Sequence, residues 1–175
     1  MATMILLPDG SNNESAHWII VGALTFEGAL DSDDGSTSYM KCDDVNEAIQ
    51  IEFAAPSVAE GDIASIDSVR FLSSGKSAHR SLSTRCSFLY YVPSGIAAEN
   101  ATYNAHRTNF TTVNGTARTT SDGSSAAWTY ANLEDLQMRC TLASIIEAYV
   151  SYLAIEVTYT EAAAADNATF FGTNF

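Results

Sequence analysis

Asp31, Asp33 and Asp34 fall within four residues and are followed by Gly35 in "ALDSDDGSTSYM" (29–40). Carboxylates packed ahead of a glycine are the raw material of a calcium loop. The EF-hand version needs its glycine in the sixth place and a glutamate in the twelfth. Counted from Asp31, the glycine here is fifth and the twelfth residue is Cys42. A looser oxygen-ligand calcium site on Asp31, Asp33 and Asp34 is the metal chemistry left open. The default for the segment is a solvated acidic turn leading into a strand around Tyr39.

Other chemistry is thin. Serines are plentiful, but the histidines are only His17, His79 and His106, and no G-x-S-x-G elbow occurs. His79 and His106 each precede an arginine, which would disfavour the imidazolium if the two side chains lay close together. The 21 acidic residues allow many carboxylate pairs. No strand, however, gathers the acids, aromatics and bases that a sugar-cleaving cleft would need. No glycine-rich loop leads into a lysine, so a phosphate cradle is absent. Cys42, Cys86 and Cys140 are widely spaced, without a C-x-x-C pair, and read as buried thiols. Trp18 and Trp128 read as core residues, with stacking on a sugar as the alternative use of exposed aromatics. The expectation is a protein with no catalytic residue and no cofactor.

The composition narrows the partners. Net charge is −13, and Lys41 and Lys76 are the only lysines. Such a chain repels phosphate backbones, which excludes nucleic acid. No apolar run approaches the ~20 residues of a membrane-spanning helix, which excludes a membrane partner of that kind. "MATMILLPDG" has no basic start and a short apolar patch, so the expectation is synthesis in the cytoplasm without a secretion signal.

The elements that must position these residues are strands. "NEAIQIEFA" (46–54) sets Ile49, Ile51 and Phe53 on one face, with Gln50 and Glu52 on the other. "SIDSVRFLS" (65–73) sets Val69 and Phe71 inward, with Ser68 and Arg70 outward. "WIIVGALTF" (18–26), "RCSFLYYV" (85–92) and "TYNAHRTNFTTV" (102–113) also read as strands. Thr129 caps a short helix, about 130–136, that carries Leu133 and Leu136. A strand over Gln137 to Leu142 follows it. The last strand, 147–161, puts Tyr149, Leu153, Ile155, Val157 and Tyr159 on one face, with Glu156, Thr158 and Thr160 on the other. The fold class is all-β, a jelly-roll-like β-sandwich over 17–160. Residues 1–16 and 161–175 read as extended arms. Ile5, Leu6 and Leu7 on the first, and Phe170, Phe171 and Phe175 on the second, are the partner-binding candidates.

Several landmarks occur in order: "LLPDG" with Trp18, "ALDSDDGSTSYM", "AIQIEF", "DSVRFL", "WTYANLEDLQMR" and "YVSYLAIEVTY". Over about residues 5–160 this series resembles a family of small tailed-phage virion proteins. The chain departs from that family in its shortage of basic residues and in its phenylalanine-bearing C-terminal arm. The resemblance implies a jelly-roll-like sandwich on the capsid surface of a virion, as a head decoration or cement protein. The partners implied are the major capsid protein and further copies of the chain, as a homotrimer. The alternative it leaves is a tail or head-fibre component that binds a receptor or glycan, through the aromatic and Asn/Thr-rich stretch 94–127.

Overall fold

The computed structural model describes residues 1–12, 16–31, 37–79, 81–91, 99–103, 109–121 and 125–163. In chain order the elements are β1 (Ala2–Leu6), β2 (Pro8–Asn12), β3 (Trp18–Val21), α1 (Phe26–Leu30), β4 (Tyr39–Cys42) and β5 (Ala48–Phe53). After a 3₁₀ turn (Glu60–Asp62) come β6 (Ile63–Ser77), β7 (Thr84–Tyr91), β8 (Glu99–Tyr103), β9 (Thr111–Asn114), α2 (Tyr130–Glu134), β10 (Gln137–Leu142) and β11 (Ala148–Glu161).

The strands form two antiparallel sheets, and the fold is the β-sandwich expected from the alternation. One sheet runs β3-β4-β11-β6-β9, with β1 added against β11; the other runs β2-β5-β10-β7-β8. β11 is the spine of the first sheet, pairing β6 along its length, β4 through Ala148–Val150 and β1 through Ile155–Tyr159. Inward residues of both sheets merge into one core. Phe71 of β6 meets Phe88 of β7 across the sandwich with ring centroids 4.7 Å apart. Tyr103 of β8 reaches the opposite sheet and donates its hydroxyl to Ser73 Oγ at 3.1 Å. Gly75 makes room for that ring, because a methyl there would lie 2.6 Å from it. The three thiols are buried and unbridged, and both tryptophans lie in the core with their indole N–H groups donating to backbone carbonyls.

Four expectations change. Residues 2–12, read as an arm, are strands: β1 pairs β11, β2 pairs β5, and Met4 and Leu6 are buried. The strand expected over 18–26 stops at Val21. Gly22 takes a left-handed φ of 80°, and Thr25 then caps α1 by accepting from the Gly28 N–H. The strand expected over 102–113 is two elements, β8 and β9, in different sheets. In β11 a bulge between Val150 and Tyr152 reverses the alternation, so Tyr149 faces outward while Leu153, Ile155, Val157 and Tyr159 face the core. The expected helix is α2, closed by a capping box between Thr129 and Asn132, with Leu133 and Leu136 both buried.

Candidate functional site

The outer face of the larger sheet carries the aromatic and ionic side chains. Register sets one row across four strands: Ile19 of β3 pairs Lys41 of β4, Lys41 pairs Tyr149 of β11, and Tyr149 pairs Lys76 of β6. The only two lysines of the chain therefore flank a single tyrosine. Tyr39, two residues before Lys41, stands edge-on to Tyr149 with centroids 5.2 Å apart. Phe110, just ahead of β9, lies 6.2 Å from Tyr39.

These rings converge on one ammonium group. Lys76 Nζ lies 4.6 Å from the Phe110 centroid, 5.2 Å from Tyr149 and 5.8 Å from Tyr39. Each such contact stabilises by about 0.5–1 kcal/mol at a partly exposed position. The lysine thus fixes three rings from three different parts of the chain into one platform. Glu147 fixes its other border. Its Oε1 accepts from Lys41 Nζ at 3.0 Å and its Oε2 accepts from the Tyr149 hydroxyl at 3.0 Å. Burial, followed by the Glu147 charge and hydrogen bond, pushes the Tyr149 phenol up to about 12. The Glu147 hydrogen bond raises the Lys41 ammonium above its ordinary value. Tyrosine stays neutral and lysine charged at physiological pH. The face therefore offers apolar rings bordered by fixed donors, an arrangement suited to binding.

Further along the same face, Arg70 Nε donates to Glu156 Oε1 at 2.7 Å, and Ile5 of β1 pairs Glu156. The outer face of the smaller sheet differs. There Gln137 accepts from Gln50 and donates to Glu52, and Arg139 is exposed.

The sequence candidates are dispersed by comparison. Asp31 is the exposed C-cap of α1, while Asp33 and Asp34 lie outside the described residues. Leu6 is a core residue, 1% exposed, which removes it from the partner-binding set. Ile5 and Leu7 are 42% and 39% exposed. Phe170, Phe171 and Phe175 lie outside the described residues. The platform was missed because only the sheet register joins Tyr39, Lys76 and Tyr149. The one signal available was that Tyr39 precedes Lys41 by two residues and so shares its face in a strand.

No family model matches the chain, and neither does any curated protein. The Agl-KA catalytic domain superposes with a TM-score of 0.50 at 15% identity, covering 95% of this chain. This chain spans 30% of the length of that one. The family 29 carbohydrate-binding module from Piromyces equi has a TM-score of 0.42 at 12% identity, covering 89% of this chain and 91% of its own. A family 16 carbohydrate-binding module has a TM-score of 0.42 at 14% identity, covering 84% and 90%. At 15% identity the likeness to the Agl-KA catalytic domain is one of fold alone.

Proposed function

We propose that this chain is a non-catalytic binding domain that holds a carbohydrate on the outer face of its larger sheet. One observation carries the reading: Tyr39, Phe110 and Tyr149 are locked around Lys76 beside the Lys41–Glu147 pair. Sugar rings present apolar C–H faces edged by hydroxyls. Fixed aromatic surface takes the faces, and preset ammonium and carboxylate groups take the hydroxyls. Because intramolecular contacts already order these side chains, binding immobilises little that is free beforehand. The test is a soluble polysaccharide and glycan panel read by calorimetry, with Tyr149→Ala and Arg139→Ala alongside the wild type. Binding lost in Tyr149→Ala and kept in Arg139→Ala supports the assignment. Binding unchanged in Tyr149→Ala, or no saturable binding to any glycan, overturns it.

A second reading, attachment to a viral capsid as a decoration protein, rests on the virion-family resemblance and on a specific surface. Ile5, Leu7 and Ile19 expose apolar side chains, and Ile5 and Ile19 lie on the outer face of the larger sheet. A capsid partner would cover these residues. An Ile5→Glu, Leu7→Glu double variant should then lose occupancy on purified heads. Undiminished occupancy would remove this surface from the reading.

A further inference from the structure

His17 directly precedes Trp18, and Asp43 and Asp44 directly follow Cys42. Trp18 and Cys42 are paired partners in β3 and β4, and both are buried. The ladder therefore delivers His17 and Asp43 to the same end of the strand pair. Glu47 reaches that place by a separate route. Its backbone carbonyl accepts from the Trp18 indole at 3.0 Å and from the Leu142 N–H at 3.1 Å. Asn46, at a left-handed φ of 68°, donates its N–H to the Leu142 carbonyl at 2.8 Å. The Cys42 thiol donates to the Asp44 carbonyl at 3.4 Å. Core residues thus pin the backbone of the 43–47 turn, and the side chains of His17 and Asp44 project to the surface.

The side-chain geometry is that of a ligand set. His17 Nε2 lies 3.6 Å from Asp44 Oδ2, and His17 Nδ1 lies 3.5 Å from Asp43 Oδ1. One potential ligand atom each from His17, Asp44 and Glu47 falls within 4.8 Å of the others. We propose that His17, Asp44 and Glu47 form a site for a divalent transition-metal ion of the zinc type, with Asp43 orienting the imidazole from its far nitrogen.

Zinc bonds nitrogen and oxygen ligands at about 2.0–2.2 Å, which sets tetrahedral neighbours about 3.4 Å apart. His17 and Asp44 are already near that separation. The remaining closure, at most about 1.4 Å for the widest pair, is a side-chain adjustment. The His17 and Asp44 side chains are 46% and 53% exposed and have room to make it. A carboxylate behind the non-ligating nitrogen is the usual support of a metal-bound histidine, because it fixes tautomer and ring orientation. One imidazole with carboxylates favours zinc, cobalt, nickel or manganese, whereas calcium takes oxygen ligands alone. Three acids around one histidine also concentrate negative charge that a dication offsets. The ion would tie the segment before β3 to the β4–β5 turn. A recess lined by His17, Ile19, Lys41, Asp43 and Glu147 joins this place to the border of the aromatic platform.

The test uses the full chain, untagged and treated with EDTA, titrated with zinc chloride, cobalt chloride and calcium chloride. The expected result is saturable binding of one zinc per chain. At a hundredfold excess over Kd, the Tm should rise by about 5–10 °C. Cobalt should give visible d–d bands. His17→Ala and Glu47→Gln should each weaken zinc binding at least about tenfold, and His79→Ala should leave it unchanged. The metal-free Tm of each variant separates loss of ligand from loss of fold, and zinc-induced shifts of the His17 imidazole resonances give an independent readout on the wild type. Overturning results are no saturable zinc binding, zinc affinity unchanged in His17→Ala, or calcium bound as tightly as zinc.

Discussion

Tyr149 and Arg139 occupy equivalent places, each pointing outward from the strand at the centre of its sheet. Their neighbours differ. Tyr149 stands between Lys41 and Lys76, with Tyr39 and Phe110 completing a ring cluster around the second lysine. Arg139 stands between Gln50 and the half-buried Leu89, on the face where Gln137 bridges Gln50 and Glu52. The same pleated geometry presents a fixed aromatic platform on one side and an ordinary solvated surface on the other. Strand geometry alone assigns no role to a face. What separates these two is the cost of removing each face from water: rings gain from leaving it, while amides and guanidinium groups must replace lost hydrogen bonds.

Phe71→Ala opens a cavity between the sheets and should cost about 3–5 kcal/mol, measured by urea unfolding. Both faces depend on this contact, so the loss should be global. A variant of unchanged stability would mean that the sheets are held together elsewhere. Tyr149→Ala should weaken carbohydrate binding about 10- to 100-fold, while Arg139→Ala leaves it within error in the same calorimetric titration. Equal losses would dissolve the distinction between the faces. Lys76→Ala should lower stability by about 1 kcal/mol through loss of its cation–π contacts, against less than about 0.5 kcal/mol for Arg139→Ala.

The smallest effect is a pH dependence. The Tyr149 phenol is pushed from its ordinary 10 to about 12 in the folded chain. Between those values the unfolded chain releases the proton and the folded chain keeps it, so stability falls as pH rises. The contribution is fully present below pH 10 and is lost by about pH 12. The Cys42 thiol, pushed up to about 11 by burial, adds a decline of the same sign from pH 9. Tyr149→Phe should flatten the upper part of the decline in Tm, and a profile identical to wild type would contradict the Glu147–Tyr149 contact.

The sandwich was legible where one face of a strand is apolar and the other polar. Ile49, Ile51 and Phe53 alternate with Gln50 and Glu52, and period alone assigns their faces. β2 escaped that logic because in "PDGSN" Pro8 alone is apolar, and one residue sets no alternation. β1 escaped it because Met4, Ile5 and Leu6 are apolar in succession, so no alternation marks Met4 and Leu6 as inward. The site depended on two facts outside any local window. A bulge after Val150 turned Tyr149 from the core to the surface, and pairing with β4 and β6 brought both lysines to it. Bulges and long-range register arise from tertiary pairing, so neither spacing nor composition revealed the platform.

Ligand recognition is assigned to the face built on β4, β11 and β6. Amide chemical-shift mapping on isotope-labelled protein, titrated with the tightest oligosaccharide from the panel, tests it directly. Perturbations should concentrate at Tyr39, Lys41, Lys76, Phe110 and Tyr149, with the β5 and β10 amides of the opposite sheet unmoved. Perturbations centred on Gln50, Gln137 and Arg139 would contradict it.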